Sequence, residues 1–184
     1  MPFTAFHVVP VWPLYVLWPR RWDLLALSFG AVMPDLEVVT SYPLTGDPGF
    51  ARGIMHSLLG VVTVNLLLAA FAARVLGPWL ATALDRRFPG KGWRTFAGHD
   101  VVRDRKSIPV LVASAIVGGL SHLGVDLLHH TDTPLLWPWR EAALHIGPWA
   151  ASSATGILED VADIVANVVA GSLFVLMVVR WVRK

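Results

Sequence analysis

Ser121-His122-Leu123-Gly124-Val125-Asp126-Leu127-Leu128-His129-His130 closes an apolar run that begins at Ile108. The run is long enough to cross lipid as a helix, and its last turns carry groups that lipid tolerates only with a partner. At helical spacing His122 and Asp126 stand at i and i+4, and His129 or His130 falls about one turn further on, so one face carries three candidate ligands. Imidazole and carboxylate on adjacent turns can share one divalent ion. A polar helix end at a membrane surface is the plainer alternative. A lone histidine favours that alternative, whereas the cluster favours a site.

Composition sets the surroundings of that stretch. The 184 residues have room for a single domain, 1–184, and 55% are hydrophobic with only 15% charged, far from the balance of a soluble protein. A mean hydropathy of +0.58 and nine tryptophans point to an all-α, polytopic membrane bundle with interfacial anchors. The absence of cysteine removes disulfides, thiolate metal sites and cysteine nucleophiles, so His, Asp and Glu are the strong ligands left. A net charge of +2 gives no argument for nucleic acid. The N-terminus lacks the basic region and cleavage site of a secretory signal and is expected to stay in the mature protein.

Outward from the opening stretch, about five membrane segments are expected. Phe3 to Trp18 is interrupted by Pro10 and Pro13 and reads as a kinked span or re-entrant segment. Leu24 to Met33 is short for a span, and Pro34 is expected to stop it and leave Asp35 on an exposed turn. Thr40 to Gly53 reads as a loop and Ile54 to about Leu76 as a long apolar helix. Residues 77–107 are expected to form a polar cytoplasmic loop, and 131–156, rich in Trp and Pro, a non-spanning interfacial segment. The last span starts with Glu159, Asp160 and Asp163 and ends at Arg180 to Lys184.

Basic residues orient the bundle. Thirteen of the 15 Lys and Arg can be placed on the cytoplasmic side, leaving Arg52 and Arg140 outside, with the N-terminus out and the C-terminus in. That topology gathers His7, Asp35, Glu37, His56, His122, Asp126, His129, His130, Glu159 and Asp163 at the outer end. Six of the seven histidines share that end, with His99 apart. Glu159 and Asp163 form a second i, i+4 pair, which alone also suits a helix N-terminus.

Several short motifs carry a resemblance: Met1 to Thr4 with His7, Met33-Pro34-Asp35, Arg52-Gly53 with His56-Ser57-Leu58-Leu59, Ser121-His122 with Asp126, and Leu135-Leu136-Trp137-Pro138. In these the chain resembles the YdjM-like membrane-bound metal-dependent hydrolases and a neighbouring uncharacterised membrane family that opens on Met-Pro-Phe-Thr and a histidine. Both are thought related to the all-helical zinc-dependent phospholipase C and S1/P1 nuclease group. The resemblance implies metal ligands at His7, Asp35, His56, His122 and Asp126, with Glu159 and Asp163 as a final pair. It also implies an integral protein of a bacterial or archaeal cytoplasmic membrane. The family's Pro-Asp-x-Asp-His reads Pro34-Asp35-Leu36-Glu37-Val38 here, and its His-Arg-Gly-x-x-His-Ser reads Ala51 to Ser57, two histidines fewer. One or two ions, zinc first and manganese as the substitute, is the expectation.

The expected activity is hydrolysis of a phosphoester, with membrane lipid, phospholipid or polyprenyl phosphate, as substrate. Arg52 lies one turn before His56 and is the expected cation for phosphate, while Glu37 or Asp160 is the expected base. A small-solute or ion transporter, hinted at by Asn65 and Asn167 at mid-depth, and a non-catalytic assembly subunit are the other classes the sequence leaves open.

Overall fold

The computed structural model describes residues 4–45, 52–90, 107–129, 133–140, 144 and 146, together with helical positions at 164–165, 167–169, 171–173, 175–176 and 179. Among these there are helices and turns and no strand, so the chain is an all-α bundle. Three helical stretches, Leu24–Ser41, Leu58–Arg87 and Ser107–Leu128, are long and apolar enough to cross a membrane. The expected first segment is shorter, and most of the last lies outside the described residues.

The two early prolines define a change of helix type. Thr4–Val11 is a 3-10 helix, and Pro13 sits in the first turn of α1 (Trp12–Leu17), where its missing N–H breaks no bond. Asp23 then caps α2 (Leu24–Val32), its Oδ1 accepting from Ala26 N at 3.0 Å.

Pro34 was expected to end the apolar run and expose Asp35. Instead it opens α3 (Pro34–Thr45), with Asp35 in the first turn and only 8% exposed. A proline at the start of a helix costs no hydrogen bond, so the chain bends at Met33 and continues as a second helix. Residues 40–45, expected as the start of a loop, are therefore helical, and 46–51 lie outside the described residues.

A 3-10 turn, Ile54–His56, leads into α4 (Leu58–Arg87), with Ser57 as N-cap accepting from Gly60 N. At 1.5 Å per residue, these 30 residues run about 45 Å. The loop expected to start at Gly77 thus starts eleven residues later, since Gly77–Arg87 is helical. The physical reason is that Pro78 follows a π-helical turn, Ala72–Leu76, where the regular hydrogen-bond ladder is already interrupted. Gly90, at φ 79°, lies just beyond the helix end.

α4 has an exposed apolar side and a buried one. Val62, Leu67, Phe71 and Val75 are exposed, whereas Val61, Asn65, Ala69, Ala72 and Ala73 are buried. The buried side is alanine-rich and packs with Ala26, Leu111 and Ala115, as helices must when close contact replaces hydrophobic drive.

The tightest crossing joins α2 to α5 (Ser107–His129). A Cβ on Gly118 would overlap the Leu27 carbonyl oxygen, and one on Gly30 the Ala115 carbonyl oxygen. Each glycine lies about one turn before a polar group: Gly118 before His122, Gly30 before Asp35. Residues 133–140 then pass over the start of α4, where Leu58 N donates to Leu135 O at 2.9 Å.

Candidate metal centre

Five side chains from four elements meet beside that crossing. His7 comes from the first 3-10 helix, Asp35 from the first turn of α3, His56 from the turn before α4, and His122 and Asp126 from adjacent turns of α5. His56 and His122 have no accessible surface, Asp126 is 2% exposed and His7 3%.

Their facing atoms are nitrogen and carboxylate oxygen. His122 Nε2 lies 3.5 Å from Asp126 Oδ2 and 3.6 Å from Asp35 Oδ1. His56 Nε2 lies 3.6 Å from Asp126 Oδ2 and 3.9 Å from Asp35 Oδ1, and His7 Nε2 lies 3.9 Å from Asp35 Oδ2. The His7 and His122 rings stack at 4.0 Å. These separations are too long for hydrogen bonds. Two ligands each about 2.1 Å from one ion, at a tetrahedral angle, stand roughly 3.4 Å apart.

The far sides of two rings settle which nitrogen faces inward. His122 Nδ1 is 2.8 Å from the Ala31 carbonyl oxygen, which can only accept, so Nδ1 carries the proton. His56 Nδ1 is 3.2 Å from Glu37 Oε2, another acceptor. Both Nε2 atoms are buried without a hydrogen-bond partner and face the cluster, and the Nδ1–H form of His122 leaves a lone pair on its Nε2. Imidazoles tied through Nδ1 and bare at Nε2 are in the form that ligates metal. The residues fit a divalent ion, and the ligand atoms of His7, His122 and Asp126, and of Asp35, His56 and His122, each lie within 4.8 Å of one another.

Without an ion the cluster holds extra negative charge. Burial opposes an imidazolium at His56, yet the neighbouring Asp35 and Glu37 carboxylates, with Asp126, outweigh both burial and Arg52 and hold His56 above its ordinary value of 6.5.

The other expected site residues divide into three groups. Arg52 is buried, its Nε 3.5 Å from Asp126 Oδ2, so it does border the cluster. Glu37, expected as a free base, has Oε2 engaged by Gly53 N, Met55 N and His56 Nδ1. His130, Glu159, Asp160 and Asp163 lie outside the described residues, and of His129 only the backbone is described. Asn65, a hint of a transport path, is buried and donates to Met55 O at 2.7 Å, holding the turn that bears His56.

Sequence reasoning passed over one polar group altogether. Asp23 Oδ2 pairs with Arg74 Nη1 at 2.9 Å, and Asp23 N donates to Ser114 Oγ at 2.9 Å. The signals were present: an aspartate directly before an apolar run, and an arginine inside one.

Fold and site together define a membrane-type helical bundle with a buried histidine and aspartate constellation able to hold a metal ion. The chain belongs to the DUF4184 family, a domain of unknown function, whose model matches residues 1–184. No curated protein and no solved structure matches it.

Proposed function

We propose that this protein is a metal-dependent hydrolase that cleaves a phosphoester carried by a membrane lipid, at one face of the bilayer. The observation that supports it best is the pair of bare Nε2 atoms on His56 and His122 facing Asp35 and Asp126, buried at the end of a bundle with an apolar exterior. A divalent ion held there, zinc or manganese, supplies an acidified water and an electrophile for a phosphoryl oxygen.

The chain's own residues do the rest. His7, His56, His122, Asp35 and Asp126 are the proposed ligands for one or two ions. Asp35 turns one oxygen toward His56 and His122 and the other toward His7, so its carboxylate can serve both sides of the cluster. Arg52 brings positive charge to the edge of an otherwise anionic site, where a phosphate would need it, and its contact with Asp126 fixes its position. A site at a helix end, beside lipid-facing helices, suits a phospholipid or polyprenyl phosphate better than a free solute. By the distribution of basic residues this end faces outward from a cytoplasmic membrane.

Purified protein in detergent should release a phosphate-containing product from a lipid phosphoester. Chelator should abolish the activity while the protein stays monodisperse, and zinc or manganese should restore it. Arg52→Ala should lower turnover with metal content near wild type. A metal-loaded, monodisperse preparation that turns over neither lipid class removes the hydrolase proposal. A reporter fused after Arg87 should read cytoplasm, and the opposite result reverses the orientation.

A further inference from the structure

Glu37 stands outside both sets of converging ligand atoms. It is two residues from Asp35 on α3, and side chains at i and i+2 of a helix point in different directions, so one ion does not readily take both. Asp35 faces the cluster, and Glu37 faces the chain segment that wraps behind it.

There a single oxygen, Oε2, meets three nitrogens: Gly53 N at 2.9 Å, Met55 N at 3.0 Å and His56 Nδ1 at 3.2 Å. The segment can lie this close because residue 53 is glycine, since a Cβ there would stand 2.7 Å from Glu37 Oε1. One carboxylate thereby fixes the main chain that bears Arg52 and His56 together with the ring of His56.

The ring needs that help. On its Nε2 side it faces two more acceptors, Asp126 Oδ2 at 3.6 Å and Asp35 Oδ1 at 3.9 Å. Those oxygens would draw the imidazole proton onto Nε2 and block the lone pair an ion requires. Glu37, nearer at 3.2 Å, draws it to Nδ1 instead. At His122 the same service comes from the Ala31 backbone carbonyl, which mutation cannot remove and which therefore serves as an internal control.

We propose that Glu37 is a positioning residue that selects the Nδ1–H tautomer of His56 and so leaves Nε2 open to the metal. This rests on reading the cluster as a metal centre. It replaces the role of free base with one that acts through His56.

The test uses the full chain in detergent with histidine labelled in 15N. Ring tautomers are read from long-range nitrogen–proton correlations in the metal-free protein, at a pH high enough for the His56 ring to be neutral, and zinc affinity from competition with a chelator. Glu37→Ala should weaken zinc binding by about ten- to a hundredfold, the usual range for an outer partner of a ligating histidine. It should move the His56 proton toward Nε2 while His122 keeps its Nδ1–H form. Glu37→Gln, which keeps an acceptor oxygen, should recover part of the tautomer and lose only several-fold in affinity. Wild-type zinc affinity in Glu37→Ala, or an unchanged His56 tautomer, overturns the proposal, as does a matching change at His122. Should Glu37→Ala fail to fold, Glu37→Gln decides, and wild-type affinity there overturns it. Turnover is not read, so this result and that of the hydrolase assay are independent, while a wild-type chain that binds no zinc overturns the metal reading itself.

Discussion

The two ends of α2 hold polar clusters of opposite character. At its start, Asp23, Arg74 and Ser114 meet at 2.9 Å, donor against acceptor and cation against anion. Near its other end, beside Ala31, histidine nitrogens and carboxylate oxygens stand 3.5–3.9 Å apart, looser than the contacts of the first cluster. The first cluster is a formed ion pair that ties α2, α4 and α5 together, with Arg74 Nη1 on Asp23 while Arg74 Nε and Nη2 find no hydrogen-bond partner among the described residues. The second sets histidine nitrogens against carboxylate oxygens at separations that a shared ion would close, with the Arg52 guanidinium at its edge. Burial alone does not distinguish a structural ion pair from a binding site, but the chemistry of the facing atoms does.

The largest expected effect falls on the histidine end. His122→Ala and Asp126→Ala each remove a ligand atom from the converging set, so each should cost more than the roughly hundredfold typical of an outer partner. Metal analysis and chelator competition on monodisperse protein measure it, and His99→Ala should change nothing. Full stoichiometry with unchanged affinity in His122→Ala would break the comparison outright.

Asp23→Ala tests the other end. Breaking a buried pair strands the Arg74 guanidinium and removes the α2 cap, at a cost of about 3–5 kcal/mol. Denaturation in mixed micelles should show that loss, while the fraction still folded should bind metal as wild type does. Metal loss equal to that in His122→Ala would mean that the two ends are one cooperative unit.

Gly118→Ala probes the crossing between the two clusters. Its Cβ meets the Leu27 backbone, so about 1–3 kcal/mol of destabilisation is expected. Because His122 lies one turn further on, zinc affinity should fall as well. Stability lost with affinity retained would show that α5 can shift without carrying its histidine away.

The smallest effect is in the pH dependence. His56 is raised above 6.5 in the metal-free chain, so its contribution to stability is present below that value and fades as pH rises through the raised one. Metal binding needs the neutral ring and strengthens over the same window. Thermal unfolding with and without zinc, from about pH 6 to about pH 8, should therefore show a metal increment that grows with pH. A constant increment would remove His56 from the ligand set.

Much of this was written locally in the sequence. Apolar runs and tryptophans gave an all-α membrane bundle because a chain in lipid must satisfy its backbone within helices. The i, i+4 spacing of His122 and Asp126 needed nothing but helical periodicity, and the meeting of His7, His56 and His122 accords with the order of the segments. Boundaries were less legible. Pro34 reads the same whether it ends one helix or opens the next, and the structure makes it an opening, which buries Asp35. Pro78 follows a π-helical turn that no local pattern announces, so α4 runs on to Arg87.

Tertiary structure decided how the candidate residues divide their work. Asp35 and Glu37 are near twins in sequence, both acidic and two positions apart, yet one faces His56 Nε2 and the other His56 Nδ1. What separates them is the path of residues 52–57 around α3, a contact between segments distant along the chain. Likewise, the tautomer of His122 depends on a carbonyl 91 residues away, brought within reach because Gly30 and Gly118 let two backbones touch. Residue type and spacing determine which atoms can bind an ion, but which of them face it depends on long-range packing that no single segment encodes.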